Sequence, residues 1–78
     1  MLPQTQLPQI PDYVARNMQK IAETGMNDLN LREIGILLFD WEDKYGKDYG
    51  YENCRETVEW LSENWEHFYQ IRDSFLKN

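Results

Sequence analysis

His67 is the one histidine of this 78-residue chain, and it stands four residues after Glu63. A helix would bring that pair to one face, where a carboxylate and an imidazole can share a proton or begin a metal site. Two ligands do not make a site, and no third ligand, nucleophile or pocket-forming motif stands beside them. Cys54 is the only thiol, so no internal disulfide forms. Its place at a helix start would lower its pKa, but it also falls on an apolar seam and reads as a buried structural residue. Gly-rich phosphate loops, His-Glu metal signatures and Ser-His-acid sets are missing from the sequence. The residue types therefore predict no enzyme, no cofactor and no metal.

The acids form the strongest pattern. Glu52, Glu56, Glu59, Glu63 and Glu66 alternate steps of four and three, which lines four or five carboxylates along one side of a helix, away from its apolar seam. Between residues 40 and 66 lie nine acids, among them Asp48, against Lys44, Lys47 and Arg55, a difference equal to the whole net charge of −6. Like charges at these spacings oppose each other by a few tenths of a kcal/mol per pair, and only Arg55 is placed to offset them, at Glu59. Stability alone does not call for this arrangement. It predicts an acidic ridge that fits a basic groove on a partner, including a groove that normally receives a phosphate backbone. The competing expectation is a solvated face that promotes solubility. A second candidate surface is aromatic: Tyr45, Tyr49, Tyr51 and Trp60 gather around the second loop and the start of the last helix, where they either anchor a partner or close the end of a small core.

Three helices are predicted to position these groups. Residues 1–11, with Pro3, Pro8 and Pro11, form an extended arm whose Leu7 and Ile10 suit a groove on this chain or a neighbouring subunit. Residues 12–78 form a single helical domain. Pro11 and Asp12 open a first helix over about 12–24, with Val14, Met18 and Ile21 on one face and Gly25 as its stop. Asn30 and Glu33 have capping-box spacing for a second helix over 31–45. Its Leu31, Ile34, Leu38, Trp41 and Tyr45 make an inward stripe, while Ile36, Leu37 and Phe39 lie off it. Such a helix reads as the central one, with Gly35 suggesting close approach of another backbone. Asn53 and Glu56 repeat the capping spacing before a third, long helix over 54–77, with a heptad-like seam of Cys54, Val58, Leu61, Trp65, Phe68 and Phe75. The fold class predicted is all-α, a small three-helix bundle with a proline-containing arm and a long C-terminal helix.

Composition narrows the partners. An aromatic share of 14% favours a folded chain. At this length the core is marginal, which points to a partner or to self-association, with a homodimer in view. The net charge argues against direct binding to nucleic acid or anionic lipid and favours a basic protein. No segment has signal-peptide character or the apolar run of a membrane span, so a cytoplasmic protein is expected.

The stretch from Ile21 to Gly35, with Thr24-Gly25 followed by Asn27 and Asp28 before an apolar helix, resembles a family of short phage-encoded proteins of unknown function. It covers about a fifth of the chain and carries over no site residues. What the resemblance implies is a phage accessory protein at work in the host cytoplasm. Taken with the concentrated acidity, that predicts a stoichiometric inhibitor that blocks a nucleic-acid-binding defence protein, such as a CRISPR effector or a restriction enzyme. The rival expectation is a homo-oligomeric scaffold or adaptor, in which the apolar second helix, Gly35 and the arm form a subunit interface. A third class is a metal-assisted enzyme centred on His67.

Overall fold

A computed structural model describes residues 8–46 and 53–76. Within them the chain is all-α, a small bundle with no β-strand. Helix α1 spans Asp12–Glu23, α2 Leu31–Tyr45, α3 Cys54–Glu63 and α4 Phe68–Leu76, and a 3-10 turn at Trp65–His67 joins the last two. Of the predicted arm only residues 8–11 are described: they are not helical, and Ile10 packs on the core of its own chain. Leu7, the other arm residue singled out by the sequence, lies outside the described residues.

The helix starts show which capping signals operate. At Asn30 the capping box forms in both directions: Asn30 Oδ1 accepts from the Glu33 amide and Glu33 Oε1 accepts from the Asn30 amide, each at 2.8 Å. At Asn53 the expected box is absent. That residue has a left-handed backbone, φ 63°, and its side chain makes no cap hydrogen bond. A side-chain cap needs an extended backbone at the N-cap, which turns the side chain back over the first amides. The helix ends follow the glycines, with Gly25 (φ 81°) just past α1 and Gly46 (φ 56°) capping α2.

The core gathers Val14, Met18 and Ile21 from α1, Ile34 and Leu38 from α2, Cys54 and Leu61 from α3, and Phe68, Ile71 and Leu76 from α4. Helix α3 packs on both α1 and α2, and α1 also packs on α4. The central positions thus belong to α1 and α3, and α2, expected to be the central helix, is a side helix with an uncovered flank. Gly35 is buried, yet a Cβ there would meet only the Val58 side chain, at an ordinary 3.7 Å. Close approach of a second backbone is not what that glycine serves.

The long C-terminal helix is interrupted. Asn64 leaves helical geometry (φ −117°, ψ 31°), its Nδ2 donates to the Trp60 carbonyl at 2.9 Å, and its own carbonyl accepts from the His67 amide at 2.9 Å. Asparagine competes for backbone partners in this way and so weakens a helix interior. A straight helix over 54–77 would run roughly 36 Å, about twice the length of the 12-residue α1. The break lets α4 fold onto α1 instead. It also breaks the heptad seam: Trp65 is 68% exposed, while Ile71 and Leu76 are buried. Arg72, in a skipped position of the seam, ties α4 to the α1–α2 linker by donating to the Leu29 carbonyl at 3.3 Å. Tyr45, expected on the inward stripe of α2, is exposed, and Trp41 is partly buried.

Candidate partner-binding face

Thr57 fixes α3 in rotation. It is fully buried, and its hydroxyl donates to the Asn53 carbonyl at 2.8 Å while accepting from Asn17 Nδ2 of α1, also at 2.8 Å. The Cys54 thiol lies 3.9 Å from Asn17 Oδ1. Among the described residues no buried side-chain nitrogen or oxygen lacks a partner. With Cys54, Thr57 and Leu61 turned into the core, positions 56, 59 and 63 fall on the far side of α3 at about 100° per residue.

Glu56, Glu59 and Glu63 are accordingly exposed, and Glu66, on the 3-10 turn, is exposed as well. Among the described residues none of the four makes a salt bridge. Arg55, the cation expected to offset Glu59, places its guanidinium over the Phe39 ring of α2, 5.2 Å from the centroid. The Glu56-to-Glu63 stretch therefore presents three carboxylates on a rigid rod, about one per 5 Å of axis. Glu52, Asp48, Tyr49 and Tyr51, also read from the sequence as partner-binding residues, lie outside the described residues. Trp60 is partly buried and packs against the core.

The groups considered for chemistry fall elsewhere. Cys54 is fully buried, and burial pushes its thiol up from 9.0 to about 11, with the nearby charges of Glu42 and Glu56 adding to the rise and Lys20 opposing it. A thiol held neutral in this way is a poor nucleophile. His67 is partly buried on the 3-10 turn. Among the described residues no three His, Cys, Asp or Glu side chains come together as a group able to hold a metal ion. Among the described residues no helix is long and apolar enough to cross a membrane.

The structure adds a surface that the sequence reading did not assemble. Ile36 (59% exposed), Phe39 and Met26 stand on the uncovered flank of α2 and its approach, and Trp65 and Tyr69 are exposed beyond them. Ile36 and Phe39 were already off the inward stripe in sequence, which was the available signal. Trp65 was hidden by its fit to the heptad seam. Searches against protein families, curated proteins and solved structures found no match to this chain.

Proposed function

We propose that this protein is a small acidic protein-binding module without catalytic activity, which occupies the basic groove of a nucleic-acid-binding partner through the exposed ridge of α3. The observation that carries this reading is the alignment of Glu56, Glu59 and Glu63, exposed and free of salt bridges to described residues, along the side of α3 opposite the buried Cys54, Thr57 and Leu61. The core fixes the rotation of that helix, so the charges are already in place before a partner arrives. Preorganised charge of one sign speeds encounter with a complementary surface at low salt. One carboxylate per about 5 Å is sparser than the phosphates of a single DNA strand, spaced roughly 3.4 Å along the axis, so the ridge imitates a nucleic acid in sign and direction more than in density. A module of this kind suits a phage-type stoichiometric inhibitor of an anti-CRISPR or anti-restriction class, working in the host cytoplasm.

The test is a pull-down from bacterial lysate with wild type and with the combined Glu56→Gln, Glu59→Gln, Glu63→Gln variant. Capture of a nucleic-acid-binding protein by wild type alone, lost as salt rises, supports the proposal. Equal capture by both forms makes the ridge a solvated face and ends it.

A further inference from the structure

Ile36 is the crest of the uncovered flank of α2. A shallow groove lies on each side of it, one lined by Met26, Leu29 and Leu37, the other by Leu31, Gly35, Phe39 and Val58. Four residues before Ile36 stands Arg32, and four residues after it stands Asp40, both exposed. On a helix these three form one ridge, positive at its start, apolar at its middle and negative at its end.

From this order we infer that the α2 flank is a self-complementary surface whose occupant is a second copy of the chain, packed antiparallel about a two-fold axis at Ile36. In the commonest helix packing, ridges of four-residue spacing lie side by side. Reversing one copy against the other sets Ile36 on Ile36 and brings Arg32 beside Asp40 of the partner subunit, twice by symmetry. A parallel arrangement would instead place like charges together. Asp40 already touches Lys44 of its own helix at 3.2 Å, and a carboxylate accepts from two cations.

The area agrees with this occupant. The exposed parts of Met26, Ile36 and Phe39 amount to on the order of 300 Å² of contiguous apolar surface, the size of an apolar interface centre. A standard interface hides about 800 Å² on each partner, an apolar centre within a polar rim. Arg32, Glu33 and Asp40 supply that rim. The inference is independent of the Glu ridge, which lies on α3.

Sedimentation and light scattering of the full chain, without any other protein, test it. Wild type is expected at twice the chain mass of 9.5 kDa, and Ile36→Glu at the single-chain mass with its helical circular dichroism intact, because Ile36 is exposed and its loss leaves no cavity. Arg32→Asp and Asp40→Arg should each weaken the dimer roughly tenfold or more by placing like charges opposite each other, and the two changes combined should restore it. The Glu56, Glu59, Glu63 to Gln variant should remain dimeric. A monomeric wild type, a dimer that survives Ile36→Glu, or a combined charge swap no tighter than its single variants would each overturn the inference.

Discussion

Asn17 and Thr57 are two polar side chains inside a core otherwise made of apolar groups, and each completes the other's hydrogen bonding. Thr57→Val keeps the shape but removes the nearer acceptor of Asn17 Nδ2, at 2.8 Å, and leaves it the Asn53 carbonyl at 3.5 Å. Loss of a good buried hydrogen bond costs about 1 kcal/mol, so a urea midpoint below that of wild type is expected, with Thr57→Ser close to wild type. Gly35→Ala should act in the opposite direction. The new methyl meets Val58 at an ordinary distance and gains up to about 1 kcal/mol of helix propensity, read as a higher thermal midpoint. Cys54 supplies a pH dependence. The folded chain holds its proton to about pH 11, whereas an ordinary thiol releases it near 9.0. Above pH 9 the unfolded chain therefore binds fewer protons, and stability falls by at most about 1.4 kcal/mol per pH unit until the folded pKa is reached. Wild type should lose stability more steeply than Cys54→Ala over that window in parallel denaturant titrations, since other groups titrate alike in both. The apolar core positions were legible from spacing. Asn17 and Thr57 were not, because their burial depends on finding each other across 40 residues, which no local period encodes.

Two asparagines that look alike in sequence start two helices by different means, and substitution separates them. Asn30→Ser retains an oxygen able to cap α2 and should be neutral, while Asn30→Ala should cost about 1 kcal/mol. At Asn53 the left-handed backbone matters more than the side-chain oxygen, so Asn53→Ser should cost roughly 1–2 kcal/mol and Asn53→Gly should be accepted. Helical circular dichroism followed through urea unfolding distinguishes the two patterns. The boundaries of α1 and α2 were close to fully legible, because capping residues, glycines and apolar period agreed there. The C-terminal region was not. Its heptad-like seam continued smoothly through Trp65, and the one discordant signal was Asn64, a polar residue whose side chain captures the Trp60 carbonyl. The packing of α4 on α1 decides in favour of the bend, and that is a tertiary effect.

At the scale of the molecule, one side is acidic and another apolar, and α3 separates the two by meeting α1 and α2 with its buried faces. The acidic side is not needed for folding. Changing Glu56, Glu59 and Glu63 together to Gln should leave the thermal midpoint unchanged or slightly raised, since it removes repulsion worth a few tenths of a kcal/mol per pair. A marked fall would mean that the ridge takes part in the fold. The ridge was legible in sequence as a pattern, and its exposure followed once the buried positions of α3 were fixed. The uncovered flank of α2 was half legible: its apolar residues were evident, but which helix would cover them depended on the order of packing. That order has a consequence for how the chain is made. The main packing partner of α2 is α3, and those of α1 are α3 and α4, so during synthesis α1 and α2 have little within this bundle to fold against until α3 and α4 have followed. The Asn17–Thr57 bond, formed across 40 residues, is a late event of this kind. Folding of the bundle is therefore expected to be concerted once α3 and α4 have emerged, and nascent chains stalled before α3 has emerged should leave α1 and α2 as open to protease as an unfolded chain.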